Sequence, residues 1–305
     1  MSHDRIRVSI GGKARPVATC ARWLPPRRDL AGALLGAIWR DTRHEVLADG
    51  QRFNHFPASP LCAITWFFDG KSEVLQAASS RGVAPARIAL ERFVVSGVRT
   101  RPTTSWNPGG VRALMVILYP DALRPLLAVS LRNLTDRTLP AREVLAPDWT
   151  QRLEVLFDAA PDVLAAPGRC FDHVQQQLAG AWPGPEAVAF GGGVRLEDWL
   201  LALTIRAAAS RRGRGVRQLQ RRFTDWTGLS RRELEAFAQA ERLFLLTMNQ
   251  KQDIDAVRLA ADSGYADQSH MIRRVRRVTG LPPRQLLDHI QHDEAYWVYR
   301  VLSTR

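Results

Sequence analysis

Asp267-Gln268-Ser269-His270-Met271-Ile272-Arg273-Arg274-Val275-Arg276-Arg277-Val278-Thr279-Gly280-Leu281 is the stretch on which the reading of the chain turns. Met271, Val275 and Val278 stand at i, i+4 and i+7, which is one stripe on a helix. An earlier stretch, Arg221-Arg222-Phe223-Thr224-Asp225-Trp226-Thr227-Gly228-Leu229, matches Arg273 to Leu281 at one constant offset. The match continues with Arg232 against Arg284 and Leu234 against Leu286, and Leu219, Phe223 and Trp226 repeat the apolar stripe. A same-register copy of this kind predicts a duplicated supersecondary unit.

Each apolar stripe must turn inward. That leaves Arg217, Gln220 and Arg221 outward in one copy, and Ser269, Ile272 and Arg273 in the other. A helix face rich in Arg and Gln suits a major groove, where Arg pairs bidentately with guanine and Gln with adenine; an outward Ile272 can meet a thymine methyl. Before the second helix, Asp253 is expected to cap a short helix with Ile254, Val257 and Ala261 on its apolar side. Ser263-Gly264 then ends it, Tyr265 fills the turn, and Asp267 caps the basic helix, with His270 as a polar first-turn residue. Helix, glycine turn, capped basic helix is the helix-turn-helix arrangement. In the first copy the scaffold helix is expected over 196–208, apolar at Trp199, Leu200, Leu203 and Ala207, followed by a basic turn over 210–215. A connecting helix from Arg231 to about Met248 would hold both recognition helices on one DNA face, about 34 Å apart.

Upstream the texture changes. Short apolar runs at 63–68, 93–98 and 113–119, bounded by Asp69-Gly70 and by Asn107-Pro108-Gly109-Gly110, read as strands joined by turns. Helical periodicity returns at 121–129, 149–159 and 171–181. The apolar run at 30–39 is expected to be a buried helix capped by Asp29, too short to span a bilayer. Pro183-Gly184-Pro185 and Gly191-Gly192-Gly193 place a boundary between about 183 and 193. The expectation is an α+β two-domain chain: a β-rich regulatory domain with a helical tail over 1–185, then an all-α domain over 194–295 with two helix-turn-helix units.

The bulk numbers agree with this division. A chain of 305 residues, 46% hydrophobic and 24% charged, is long enough for two cores. Its net charge of +13 and pI near 10.9 favour a polyanionic partner. Cys20, Cys62 and Cys170 are odd in number and in no CxxC spacing, which argues against a disulfide framework or a zinc site and for single thiols in the cytosol. The polar start, residues 1–13, has no apolar core of a secretion signal, so a cytoplasmic protein is expected.

The segment with Ala260-Ala261-Asp262-Ser263-Gly264-Tyr265-Ala266-Asp267-Gln268-Ser269-His270 and Thr279-Gly280-Leu281-Pro282-Pro283 resembles the second helix-turn-helix signature of the AraC/XylS family of bacterial transcription regulators. Arg217 to Phe223, through Gly228-Leu229-Ser230, is similar to that family's first unit, and the resemblance covers roughly 194–290. It implies base-reading roles for Arg217, Gln220 and Arg221, then Gln268, Ser269, Ile272 and Arg273. Three departures stand out: Gly215 where a capping serine is usual, Arg231 after Ser230 where proline is frequent, and Val275 where an aromatic is common. Residues 53–68, with Phe56-Pro57-Ala58-Ser59-Pro60, and the later Pro108-Gly109-Gly110-Val111-Arg112-Ala113 resemble the small cupin-like β-domain of one branch of the family, which implies ligand sensing or dimerisation.

The expected function is therefore a sequence-specific DNA-binding transcription regulator, activator or repressor, with His270, Arg276 and Arg277 adding to the DNA-facing surface. Its expected partners are double-stranded DNA, with RNA polymerase, a small-molecule effector and a second copy of the chain as further candidates, and no membrane. Phe53, Phe56, Trp66, Phe68 and Trp106 are candidates to line an effector pocket, although aromatics on strands are more often plain core. No cofactor or metal is expected, because His44 and His55 stand isolated and no HExxH occurs. No catalysis is expected either, since GxSxG, GxxxxGK[ST] and GxGxxG are missing. A non-specific architectural DNA binder, or an enzyme using Cys20 or Cys62 beside a DNA-targeting module, are the rival readings.

Overall fold

Strand geometry in the first half follows from apolar runs too long for one face. The computed structural model describes residues 7–8, 20–76, 86–182, 195–209, 215–249, 254–255 and 261–305. The expected boundary at 183–193 lies outside the described residues, as does most of the expected basic turn at 210–215. Within the described residues the strands are β1 (Arg7–Val8), β2 (Ala21–Leu24), β3 (Leu34–Asp41), β4 (Phe53–Phe56), β5 (Cys62–Asp69), β6 (Glu73–Leu75), β7 (Arg87–Ala89), β8 (Phe93–Ser96), β9 (Thr103–Trp106), β10 (Arg112–Leu118), β11 (Thr138–Pro140) and β12 (Ile254–Asp255). Six of them form one antiparallel sheet in the order β11-β8-β5-β10-β3-β2, and four form a second in the order β4-β9-β6-β7. The three predicted strand runs coincide with β5, β8 and β10, the second and third running two and one residues past the strand ends.

The run at 30–39 corrects the sequence reading. It is not a helix: residues 34–41 are β3, nearly all buried, between β10 and β2. A continuous apolar run cannot be told from a buried helix by periodicity, and here coverage on both faces decides for the strand. Gly36 lets β2 approach, since a Cβ there would lie 2.4 Å from Trp23 Cζ2 and 2.7 Å from the Leu24 carbonyl. Asp29 caps no helix; it pairs with Arg27 at 2.5 Å beside a single 3-10 turn, Arg28–Leu30.

Helices cover the outer face of the larger sheet. Pro147–Glu154 continues as a 3-10 turn, Val155–Asp158, and Pro167–Leu178 follows. Trp66 donates Nε1–H to the Leu153 carbonyl at 3.0 Å, and Phe157 packs edge-on against Phe68 and Phe93. The helix expected over 121–129 is one turn, Pro120–Leu123, then a 3-10 turn, Arg124–Leu126, because Pro125 supplies no N–H to continue an α-helix.

From Leu196 the described elements are almost all helices: Leu196–Ala209, Val216–Thr227, Arg231–Asn249, Gln268–Thr279, Pro283–His292 and Trp297–Leu302. The short helix expected from Asp253 is the second correction. Ile254–Asp255 instead pairs antiparallel with Arg7–Val8, and Ala261, expected to face the core, is exposed in a helical segment that ends before Gly264. The two-residue ladder holds residues 254 and 255 extended where the first helical turn was expected. Residues 253 and 256–260, with Val257, lie outside the described residues.

The two regions share one hydrophobic cluster, which runs from Leu30 to Val301. Polar ties reinforce it. Trp199 Nε1–H donates to Asp121 at 2.9 Å, and Arg206 pairs with the same carboxylate. The last segment returns to the sheets: Glu294, 2% exposed, lies 2.6 Å from both Arg40 and Arg300. Trp297 donates to Asn54 Oδ1 at 2.8 Å and lies under the Arg40 guanidinium.

Candidate nucleic-acid interface

Both basic helices are built alike, down to individual hydrogen bonds. The first, Val216–Thr227, buries Phe223 at 2% exposure and half-buries Leu219 and Trp226. The second, Gln268–Thr279, buries Met271 and Val275 and half-buries Val278. Each ends in Thr-Gly-Leu with the glycine left-handed, at φ 76° for Gly228 and 83° for Gly280. Thr227 Oγ1 lies 2.6 Å from the Phe223 carbonyl and 3.1 Å from the Leu229 carbonyl, and accepts from Leu229 N–H at 3.2 Å. Thr279 repeats the pattern with Val275 and Leu281 at 2.9, 3.0 and 3.2 Å. The repeat read in the sequence is thus a repeat of geometry.

The start of each helix differs. Asp267 accepts from His270 N–H at 2.6 Å, a side-chain N-cap, whereas Gly215 caps its helix with no side chain. Asp267→Ala should therefore lower stability by about 1 kcal/mol. Urea unfolding followed by circular dichroism measures it; an unchanged midpoint would show that the cap contributes nothing.

With the apolar stripes inward, Arg217, Gln220 and Arg221 are exposed on the first helix, and Ser269, Arg273, Arg276 and Arg277 on the second. Gln268, His270 and Ile272 are half-buried. The His270 ring stands edge-on to Tyr265 at 5.5 Å, so this side chain also supports the turn. Tyr265 is buried in that turn as expected, and burial pushes its phenol up to about 12. Two supports escaped the sequence reading. Arg222 donates to the Ala207 carbonyl at 2.6 Å and so ties the first recognition helix to its scaffold helix. Gln239, on the connecting helix, donates to the Gly264 carbonyl and holds the second turn. Neither carries a sequence signal, because both partners are backbone carbonyls remote in the chain.

The effector-pocket candidates need correction. A cavity of about 200 Å³ lies between the two sheets, lined along β5 by Ala63, Thr65 and Phe67. Phe56 also lines it. Trp66 and Phe68 sit on the opposite face of β5, against Leu153 and Phe157, since successive strand side chains alternate. Phe53 and Trp106 lie outside the cavity as well; Phe53 stacks toward His55, and Trp106 lies under Arg87. Among the described residues no cluster of His, Cys, Asp and Glu is placed to hold a metal ion. No helix among them is long and apolar enough to cross a membrane.

Comparison with known proteins bears on the same segment. Residues 208–289 match the family model described as a helix-turn-helix domain. No curated protein matches the chain. Among solved structures, apo ToxT from Vibrio cholerae is similar at 10% identity over 90% of this chain and 100% of that chain, with a TM-score of 0.37. ToxT from Vibrio cholerae bound to an unsaturated fatty acid is similar at 11% identity over 79% of this chain and 95% of that one, with a TM-score of 0.33. Two basic helices in one repeated frame, inside the segment that the family model matches, identify residues 208–289 as a helix-turn-helix domain of the AraC type, a DNA-binding module of transcription regulators.

Proposed function

We propose that the chain is a sequence-specific transcription regulator that lays its two recognition helices in successive segments of the major groove. The observation that carries this reading is the shared frame: one stripe inward, one identical Thr-Gly-Leu end, and arginines outward on both helices. Arg217, Gln220 and Arg221, with Gln268, Ser269, Ile272 and Arg273, read base edges, and Arg276 and Arg277 neutralise phosphates. His270, half-buried against Tyr265, supports the turn and adds a polar contact to DNA from the first turn of the second helix.

A small-molecule effector fits the cavity between the sheets. Its wall includes Trp297 and Val298, which follow the last helix of the second unit after one 3-10 turn, Glu294–Tyr296. A ligand there would press on a segment continuous with the DNA-binding helices, which supports control by occupancy. Catalysis at the thiols is disfavoured by their setting. Burial pushes the Cys62 thiol far up and Cys170 up to about 12, and burial with Glu45 nearby raises Cys20, so all three stay protonated.

Selection from a random duplex library tests the proposal. An enriched motif with two spaced half-elements is expected, with affinity falling steeply as salt rises. Equal affinity for all sequences at every salt concentration would instead mean an architectural binder.

A further inference from the structure

Both recognition helices rest their Thr-Gly-Leu ends on the β-rich region. At the first, a methyl group built on Gly228 would lie 3.5 Å from Thr135 Oγ1, 3.7 Å from Val98 Cγ2 and 4.0 Å from Leu131 Cδ2. Arg132, in the same 3-10 segment, Leu131–Leu134, reaches Asp225 at 3.3 Å on the last turn of that helix. At the second, a methyl group on Gly280 would lie 3.5 Å from Pro102 Cγ. Ala58 N–H donates at 2.7 Å to the Val278 carbonyl, one of the end carbonyls that a helix leaves without an internal partner.

The two seats are linked to each other. Ser59 and Arg99 exchange a pair of backbone hydrogen bonds, at 2.9 and 2.8 Å, joining the loop of Ala58 to the strand end beside Val98. Asp136 N–H donates to the Val98 carbonyl at 2.9 Å, and its carboxylate accepts from Thr100 N–H at 2.7 Å. One hydrogen-bonded corner of the β-rich region therefore carries both seats. The ends opposite the seats, where Arg217, Gln268 and Ser269 stand, are the ends that face DNA in helix-turn-helix proteins.

We infer that this corner is a spacing gauge: Ala58, Pro102, Leu131 and Thr135 are positioning residues that set the distance between the two base-reading ends, and hence the operator spacing the protein accepts. The inference rests on the proposed reading by two recognition helices and adds to it the element that fixes their separation. Without the seats, the Thr-Gly-Leu ends lose their direct support from the β-rich region, and the pair is spaced mainly by the connecting helix, Arg231–Asn249. Each helix keeps its base-reading face, but the pair loses its pre-set separation. Binding of two linked elements depends on how well their span matches the sites, so loss of the seats spreads the accepted span and weakens the preferred one.

The experiment uses the full chain and a library in which two selected half-elements are separated by every spacer length over one helical turn. The wild type is expected to enrich a narrow set of spacings. A Pro102→Ala, Thr135→Ala double variant changes an exposed and a half-buried residue and leaves both helix faces intact. It should enrich the same half-elements over a broadened set of spacings. Affinity for the wild-type duplex should fall roughly tenfold, while affinity for a duplex with a single half-element stays within about twofold. Ala58→Pro removes the N–H donated to Val278 and should broaden spacing in the same way; circular dichroism checks that it folds, and the double variant decides the matter if it does not. Wild-type spacing selectivity in the double variant would overturn the gauge. A wild type that enriches no two-part motif would overturn the proposed function itself, and the gauge with it.

Discussion

Glu294→Ala should destabilise the protein by about 3–5 kcal/mol, the largest single effect expected anywhere in the chain. Glu294 is 2% exposed and lies between Arg40 of β3 and Arg300 of the last helix, at 2.6 Å from each. Removing its carboxylate takes the counter-charge from the Arg40 guanidinium, which is 7% exposed, while Arg300 keeps the charge of Asp293 nearby. Arg40 has little to fall back on, since its Nε is buried without a partner among the described residues. Arg300 retains the carbonyls of Ile290 and Asp293, at 2.7 and 2.9 Å, so most of the cost falls on Arg40. Glu294→Gln keeps the shape and loses the charge, and should show a smaller loss of the same sign. Urea unfolding of both variants measures this; a change below about 1 kcal/mol for Glu294→Ala would mean that water reaches the cluster and screens it. Because Arg40 belongs to the sheets and Glu294 to the segment after the second helix-turn-helix unit, the same variant should loosen the helical region from the sheets. Protease cleavage after 292 should then come at lower denaturant than in the wild type.

Arg273→Ala should weaken binding to the selected duplex by about 1–3 kcal/mol and relax the base preference at one position. Arg273 is exposed one turn into the second recognition helix, on the face opposite Met271 and Val275, where a guanidinium can reach guanine O6 and N7. Arg221→Ala should act in the same way on the other half-element. Its partner Asp225 sits 3.9 Å away and also meets Arg132, so the arginine is held along its helix before DNA arrives. Arg276→Ala offers the contrast. A phosphate contact carries no sequence information, so its loss should lower affinity for all duplexes alike and reduce the salt slope by about 1. Titrations of specific and scrambled duplexes at several salt concentrations separate the two behaviours. Binding by Arg273→Ala and Arg221→Ala that equals the wild type on both duplexes would remove these helices from the interface.

The helical region was legible from sequence because its signals are local. Three apolar positions at i, i+4 and i+7, an Asp at the start and Thr-Gly-Leu at the end determine which way each helix turns and where it stops, and the repeat doubles every one of those signals. The strands at 63–68, 93–98 and 113–119 were legible for the same reason, each bounded by its own turn residues. The run at 30–39 was not. Nothing within it distinguishes a helix from a strand covered on both sides, and only β10, β2 and the close approach at Gly36 decide. The pocket aromatics failed on parity. Trp66 and Phe67 are equally suited to line a cavity, and the pleat alone turns Phe67 inward and Trp66 toward Leu153.

By itself, then, the sequence determined where the two basic helices run, how they end and which side chains they turn outward, since hydrophobic periodicity and end signals act within a few residues of one another. Only the tertiary structure decided what those helices stand on. The carboxylate between Arg40 and Arg300, the Ala58 bond to Val278 and the seat of Gly228 against Thr135 join residues far apart in the chain. Such pairings leave no periodic trace, because each partner's residue type is ordinary at its own position and gains its meaning from the fold that brings the other beside it.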